Sequence, residues 1–239
     1  MLSERPWKLM DFLAVMALLS LLLVVGVLSN ILSASRSDVP VDMQSQAVNF
    51  AVSLCLYGGI VALVHLMVRS RESSWRSAFG FRSSRPIAAL LMALGVTCIV
   101  LPIAWYLGIL SVQVMDMLRW KVEPQPSVQV LQTSASFGPQ VFLAILAIVV
   151  APVTEELLFR GILFAFVKQQ GYPKLAMWGT ALLFGALHLN LMTFVPLTFL
   201  GLVLAWLYDT TDNLVAPIFA HSLFNLANFF RAVWEHAPM

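Results

Sequence analysis

The sequence predicts an all-α, polytopic membrane protein, a helical bundle of about seven transmembrane helices. The 239 residues are 60% hydrophobic and only 11% charged, whereas soluble domains are roughly half apolar and a quarter charged. The apolar runs are long and lack strand-like alternation, and a chain in lipid satisfies its backbone only as helices or closed barrels. This composition excludes an ordinary soluble domain, and a net charge of +2 gives no indication of a nucleic-acid partner.

Seven apolar segments are separated by polar or turn-rich breaks. The first is ~23 residues long, which suits a retained membrane span better than the shorter apolar core of a signal peptide. The last three are ~17 residues each, near the lower limit for a span. The segments are 9–31, 48–68, 86–110, 141–167, 175–191, 192–208 and 214–230.

Polar groups divide the chain into three parts. Residues 1–110 form an N-terminal three-helix membrane region, 111–140 an extracytoplasmic connecting segment, and 141–239 a second membrane region. The spans of the first region hold few ionisable groups, namely Asp11 near one helix entry and His65 near another exit, whereas every span of the second but the sixth holds polar groups deep inside. Intramembrane ionisable groups are expensive and usually functional. We therefore expect the active site in the second membrane region.

The basic residues predict the orientation of the chain. If the spans alternate in direction, nine of these residues lie on the side of the N-terminus and four on the other. Cytoplasmic loops carry the excess of Lys and Arg, so we expect a cytoplasmic N-terminus. The nine are Arg5, Lys8, Arg69, Arg71, Arg76, Arg82, Arg85, Lys168 and Lys174, and the four are Arg36, Arg119, Lys121 and Arg231.

Two adjacent carboxylates and an arginine interrupt the fourth apolar segment in EELLFR, residues 155–160. Glu156 and Arg160 are four residues apart, so they share a helix face and can form an ion pair. Glu155 is turned about 100° away from Glu156. This division suits one structural carboxylate and one general base, Glu155. The alternative interpretation is a Glu–Arg pair that only locks two helices together.

Two further spans supply polar groups that can converge on Glu155. His221 and Asn225, in HSLFN, are also four residues apart, so both can donate hydrogen bonds to an oxyanion developing at a carbonyl carbon. His188, in FGALH, can help Glu155 to hold a water or can serve as a metal ligand. Each residue alone also has a structural interpretation, as a satisfied interior histidine or an asparagine that joins helices. Their occurrence on three separate spans favours a catalytic site.

These motifs resemble those of the CPBP family, which includes type II CAAX prenyl endopeptidases and bacteriocin-processing or immunity-related (Abi-like) membrane proteases. EELLFR matches EExxxR, FGALH (184–188) matches FxxxH, and HSLFN (221–225) matches HxxxN. The resemblance covers residues 140–230, and the first three spans carry no such motif. It implies an intramembrane endopeptidase with a cavity for peptide substrates. In that family pattern Glu155 activates the attacking water with help from His188, His221 and Asn225 form the oxyanion site, and Glu156, Arg160 and Phe184 support them.

The mechanism can depend on the glutamate alone or on a metal. The sequence lacks HExxH, the short zinc motif. Glu155, His188 and His221 can nevertheless supply three ligands to a divalent metal such as zinc, with water in the fourth position. We favour glutamate-activated water and expect no cofactor.

Two other functions fit the same polar groups. A proton-coupled transporter uses buried Glu and His as a proton relay, although the sequence shows no inverted repeat. A non-catalytic membrane scaffold or immunity factor would keep these groups for stability. For the favoured protease we expect a peptide or protein substrate, including a lipidated one, contact with membrane lipids, and a place in a bacterial plasma membrane.

Overall fold

The protein is helical throughout the parts that the structure describes. The computed structural model describes residues 2–34, 43–81, 86–122, 125, 128–129, 131 and 137–234, with side chains for these ranges apart from 29–34, 43–50, 137 and 139. Eight helices and no β-strand occur within these ranges, which confirms the all-α prediction. The helices are α1 (Leu9–Ala34), α2 (Met43–Ser70), α3 (Trp75–Phe79), α4 (Pro86–Met117), α5 (137–169), α6 (Pro173–Leu187), α7 (Leu191–Thr211) and α8 (Val215–Trp234).

Five of the described helices, α1, α2, α4, α5 and α7, are long and apolar enough to cross a membrane. The protein is therefore an integral membrane protein, but the predicted count of seven spans is not confirmed. Helix α6 has only 15 residues, or ~22 Å, which is short of a ~30 Å hydrocarbon core. Helix α8 has 20 residues, and His221, Asn225, Asn228 and Arg231 lower its hydropathy.

Helix α5 is continuous, but its geometry changes along its length. Turns of π-helix are rare and frequently occur at functional sites, and α5 contains two such segments. Glu155 and Glu156 lie in the short α-helical segment between them. In order, the segments are α-helical Phe137–Ile145, π-helical Leu146–Val150, α-helical Ala151–Glu156, π-helical Leu157–Phe164 and α-helical Ala165–Gln169.

Helix α4 and the second membrane region together form the most densely packed part of the bundle. Helix α7 packs against α4 and α6, and α8 packs against α4 and the first π segment. Small residues let α6 and α7 approach closely, since a Cβ on Gly201 would lie 3.0 Å from the Cα of Ala181. All residues from 157 to 166 are buried. The outer faces of α1, α2 and α4 carry exposed apolar side chains, as helices in contact with lipid require.

Ion pairs connect the amino-terminal segment and the last turn of α5 to the end of α7. Arg5 Nη2 lies 2.5 Å from Asp212 Oδ1, and Lys168 pairs with Asp209. These four residues form a cluster of charges at one end of the bundle. Arg5 and Lys168 thus lie on the same side, as alternating spans predict, while the cytoplasmic location of that side stays a prediction. Three of the basic residues that were used to predict the orientation lie outside the described residues: Arg36, Arg82 and Arg85.

Candidate active site

A cavity of about 210 Å³ opens beside Glu155 inside the bundle. His188 and Phe184 also line it, and Tyr57 and Thr154 add hydroxyl groups to walls that are otherwise largely aliphatic. An apolar cavity of ~150 Å³ accommodates benzene, so this one has room for a large amino-acid side chain. Helices α1 and α2 form one wall, which means that both membrane regions contribute to the cavity.

The buried ion pair predicted from helical spacing is present. Arg160 Nη1 donates to Glu156 Oε1 at 2.6 Å, and both side chains are 0% exposed. Arg160 Nη2 donates to the Gly201 carbonyl of α7 at 2.9 Å. A charge without a partner would be very costly at this depth, and the pair makes the arginine tolerable. Two atoms of the pair, Glu156 Oε2 and Arg160 Nε, are buried without a hydrogen-bond partner.

His221 lies between the two carboxylates. Its Nδ1 is 3.0 Å from Glu156 Oε1, and its Nε2 is 3.9 Å from Glu155 Oε2. A carboxylate that pairs with arginine can only accept, so Nδ1 carries a proton. The other ring nitrogen is therefore the one turned toward Glu155. Glu155 is 27% exposed, whereas Glu156 is completely buried, so the two neighbouring carboxylates occupy different environments.

The end of helix α6 orients His188. The backbone N–H of His188 donates to the Gly185 carbonyl, three residues back, as commonly happens in a tightened last turn. His188 Nδ1 lies 2.8 Å from the Phe184 carbonyl and donates to it, because a carbonyl can only accept. This bond leaves Nε2 as the nitrogen that can accept a hydrogen bond from a water in the cavity.

Phe184 is the packing centre of the site. Its ring centroid lies 4.9 Å from that of His188 and 5.6 Å from that of His221, with edge-to-face geometry in both contacts. Arg160 Cζ lies 4.8 Å from the same centroid, within the range of a cation–π contact. Phe184 is 1% exposed, and it holds both histidines against the buried ion pair.

The Asn225 amide contacts the backbone of α5. Its Nδ2 donates to the Ala147 carbonyl at 2.7 Å. The α-helical donor for this carbonyl, the N–H of Ala151, binds Leu146 instead, and Pro152, the π-helical donor position, has no N–H. An unsatisfied carbonyl inside a membrane is costly, so Asn225 stabilises the first π segment. One of its two Nδ2 hydrogens is used in this bond.

The predicted metal ligands are not grouped as a three-ligand site. Among the described residues, no set of three His, Cys, Asp or Glu side chains is arranged to hold a metal ion. Glu155 and His188 both line the cavity. His221 is not one of its lining residues and contacts Glu155 at 3.9 Å. The arrangement of these described side chains does not fit a tetrahedral metal with all three as ligands.

Sequence reasoning missed the contribution of the first membrane region. Tyr57 of α2 faces the cavity together with Glu155. A hydroxyl-bearing residue followed by Gly58 and Gly59 inside an apolar run was the available signal. Trp7 was also missed, and it contacts the Gly161 carbonyl of α5. No local pattern near Trp7 indicates so distant a partner.

Comparison with known proteins connects this geometry to a protease family. Residues 137–227 match the family model of Rce1-like type II CAAX prenyl endopeptidases. This range begins with α5 and ends within α8, and it contains every residue predicted for the site.

Two curated proteins of Bacillus subtilis (strain 168) also match. YdiL, named as a candidate membrane peptidase, is 31% identical over 83 residues, which are 35% of this chain and 34% of YdiL. YpbD, an uncharacterized protein, is 29% identical over 86 residues, which are 34% of this chain and 41% of YpbD. The chain thus spans less than half the length of the curated relatives it matches. No solved structure matches it at a comparable level of significance.

These matches bear out the resemblance predicted from three short motifs, and they support the expectation of a membrane-embedded protease. The first 136 residues lie outside the matched range, so the resemblance does not extend to the first membrane region. Residues 137–227 of this chain match the family of Rce1-like type II CAAX prenyl endopeptidases.

Proposed function

We propose that this protein is an intramembrane endopeptidase that hydrolyses a peptide bond of a peptide or protein substrate with a water activated by Glu155. The observation that carries the proposal is the division between two adjacent carboxylates. Glu156 is completely buried and bound to Arg160, whereas Glu155 faces the cavity. A general base must reach both water and substrate, and of these two carboxylates Glu155 meets that condition.

In the proposed reaction, Glu155 accepts a proton from water as the water oxygen attacks the carbonyl carbon of the scissile bond. The tetrahedral intermediate carries its negative charge on the former carbonyl oxygen. The carbon–nitrogen bond then breaks, and the proton held by Glu155 passes to the leaving nitrogen. The products are one new carboxyl end and one new amino end, so no other reactant is needed.

His188 assists by positioning the water. Its Nδ1–H is held by the Phe184 carbonyl at 2.8 Å, so Nε2 can accept the second hydrogen of the water while Glu155 accepts the first. Two groups bonded to one water fix the direction of its attack, and such orientation lowers the activation barrier. The shared cavity of Glu155 and His188 supports this assignment.

His221 and Asn225 are the proposed oxyanion donors. Asn225 uses one Nδ2 hydrogen on Ala147, which orients the amide and leaves the second hydrogen for the oxyanion. His221 holds Glu156 through Nδ1, so donation from Nε2 requires protons on both ring nitrogens. With the imidazolium, the four groups Glu155, Glu156, Arg160 and His221 carry two negative and two positive charges, which suits an apolar interior.

The proposed setting follows from the same features. The substrate is a peptide or protein that enters the membrane, lipidated or not, and the surrounding lipids contact the apolar outer faces. We place the N-terminus in the cytoplasm of a bacterial cell, because the basic residues predicted to share its side outnumber those opposite. We expect no nucleic-acid partner.

A proteomic comparison tests the proposal. Membrane peptides are measured in cells that produce the wild type, Glu155→Ala, or Glu4→Ala, a control that removes an exposed carboxylate. We expect fragments that accumulate with the wild type and with Glu4→Ala and are lost with Glu155→Ala. Identical peptide patterns in all three, with equal amounts of inserted protein, would contradict the proposal.

A further inference from the structure

A second backbone carbonyl of α5 is satisfied from outside the helix. In the second π segment, the N–H of Ala165 donates to the Ile162 carbonyl and not to Gly161, its α-helical acceptor. The Gly161 carbonyl instead accepts a hydrogen bond from the indole Nε1 of Trp7 at 2.5 Å. Trp7 lies just before α1 and is only 5% exposed. The bond therefore joins the amino-terminal segment to the helix that carries Glu155.

The surroundings of Gly161 leave the second π segment little freedom to shift. A Cβ on Gly161 would lie 2.6 Å from Cε1 of Phe79, and the Phe79 ring packs on Trp7 with centroids 5.5 Å apart. The residue before Gly161 is Arg160, which pairs with Glu156 at 2.6 Å. The Trp7 bond thus acts one residue away from the ion pair.

A change between π and α geometry rotates the helix on one side of the change. Displacing an α-helix by one residue turns its side chains by about 100°. Such a rotation would move Glu155 away from the cavity and Glu156 away from His221 of α8. The two π segments flank these carboxylates, and each has one carbonyl held by a donor from elsewhere in the chain, Asn225 for the first segment and Trp7 for the second.

We propose that Trp7 is a positioning residue for the two carboxylates. Its indole N–H fixes the geometry of the second π segment and thereby keeps Glu155 directed at the cavity and Glu156 at His221. Trp7 lies outside residues 137–227, so the first membrane region takes part in setting the site. The kinetic consequence rests on the proposed function, whereas the direction of the carboxylates can be measured without it.

The experiment compares Trp7→Phe with Trp75→Phe in proteoliposomes. Both substitutions remove an indole N–H from a ring that packs on Phe79, but Trp75 Nε1 donates to His65 and not to a carbonyl of α5. A quenched fluorogenic peptide gives kcat and KM at a temperature where each protein is folded. We expect Trp7→Phe to lower kcat about ten- to hundredfold with KM nearly unchanged, as small misplacements of catalytic groups do, and Trp75→Phe to match the wild type.

Chemical labelling provides the second measurement. Dicyclohexylcarbodiimide modifies accessible carboxyl groups in apolar surroundings, and mass spectrometry locates the adducts. We expect the wild type and Trp75→Phe to be labelled at Glu155 in preference to Glu156, which is completely buried, and Trp7→Phe to lose this preference. If the wild type cleaves no peptide, the proposed function fails, and the labelling alone decides whether Trp7 positions the carboxylates.

An unchanged kcat together with unchanged labelling in folded Trp7→Phe would overturn the inference. If Trp7→Phe does not fold, 3-benzothienylalanine is incorporated at position 7, since it keeps the bicyclic shape and replaces the N–H by sulfur. The same loss of kcat and of labelling preference is then expected. Wild-type behaviour of that variant would equally overturn the inference.

Discussion

His221 Nδ1 lies 3.0 Å from Oε1 of Glu156, the same oxygen that accepts a hydrogen bond from Arg160 at 2.6 Å. Nε2 of the same ring lies 3.9 Å from Oε2 of Glu155. His221 therefore contacts both carboxylates of EELLFR. Glu156 holds together side chains from two helices. We conclude that Glu156 is a structural carboxylate.

Replacing Glu156 by Gln will destabilise the protein by about 3–5 kcal/mol, because it leaves the charge of a completely buried arginine without its partner. Thermal and chemical unfolding in detergent measure this loss. Lys168→Met is the control, since Lys168 and Asp209 are 22% and 27% exposed and such partly solvated pairs contribute about 1 kcal/mol or less. Equal stability losses in the two variants would contradict the assignment.

Asn225 and Pro152 will show coupled effects on stability. Asn225→Ala leaves the Ala147 carbonyl unsatisfied, at a cost of about 1–3 kcal/mol. In a Pro152→Ala background, residue 152 regains an N–H that can bind this carbonyl, so the same substitution will cost less. A double-mutant cycle measures the difference. A cost of Asn225→Ala that is the same in both backgrounds would show that the amide does not serve this carbonyl.

Filling the cavity will block peptide cleavage. Leu22 lines the cavity, and Leu22→Trp places an indole where we expect the substrate to bind. The neighbouring Leu21 is 60% exposed on the outside of α1, so Leu21→Trp is the matched control and will keep wild-type activity. Cleavage of the fluorogenic peptide measures both variants. Full activity of folded Leu22→Trp would place the substrate elsewhere.

Removal of metal ions will leave the activity intact if Glu155 acts on water directly. Purified protein is dialysed against a strong chelator, its metal content is measured, and cleavage is then assayed. Loss of activity that returns on addition of zinc would favour the metal-dependent alternative, with ligands drawn from Glu155, His188 and His221.

The sequence predicts much of the local structure and less of the assembly. The all-helical class follows from composition, and the Glu156–Arg160 pair follows from a spacing of four residues, because both depend on local geometry. The contact of His221 with Glu156 spans 65 positions in the chain. It depends on how α8 packs against α5, which no spacing within either helix determines.

The predicted count of seven spans is not confirmed, and the two π segments were not predicted from the sequence. Helix α6 ends at Leu187, since the chain turns at His188 to begin α7, whereas the apolar run continues to 191. The π geometry depends on donors from other parts of the chain, such as Trp7 for Gly161 and Asn225 for Ala147. Only Pro152 gave a local indication, because it removes one N–H from the helix.

The most direct test of the central claim is the rate of peptide cleavage by Glu155→Gln, measured on folded protein in proteoliposomes beside the wild type. The substitution keeps the shape of the side chain and removes the proton acceptor. We predict a loss of kcat of at least ~100-fold, the usual lower range for a general base, with unfolding close to that of the wild type. Wild-type cleavage by folded Glu155→Gln would contradict the account.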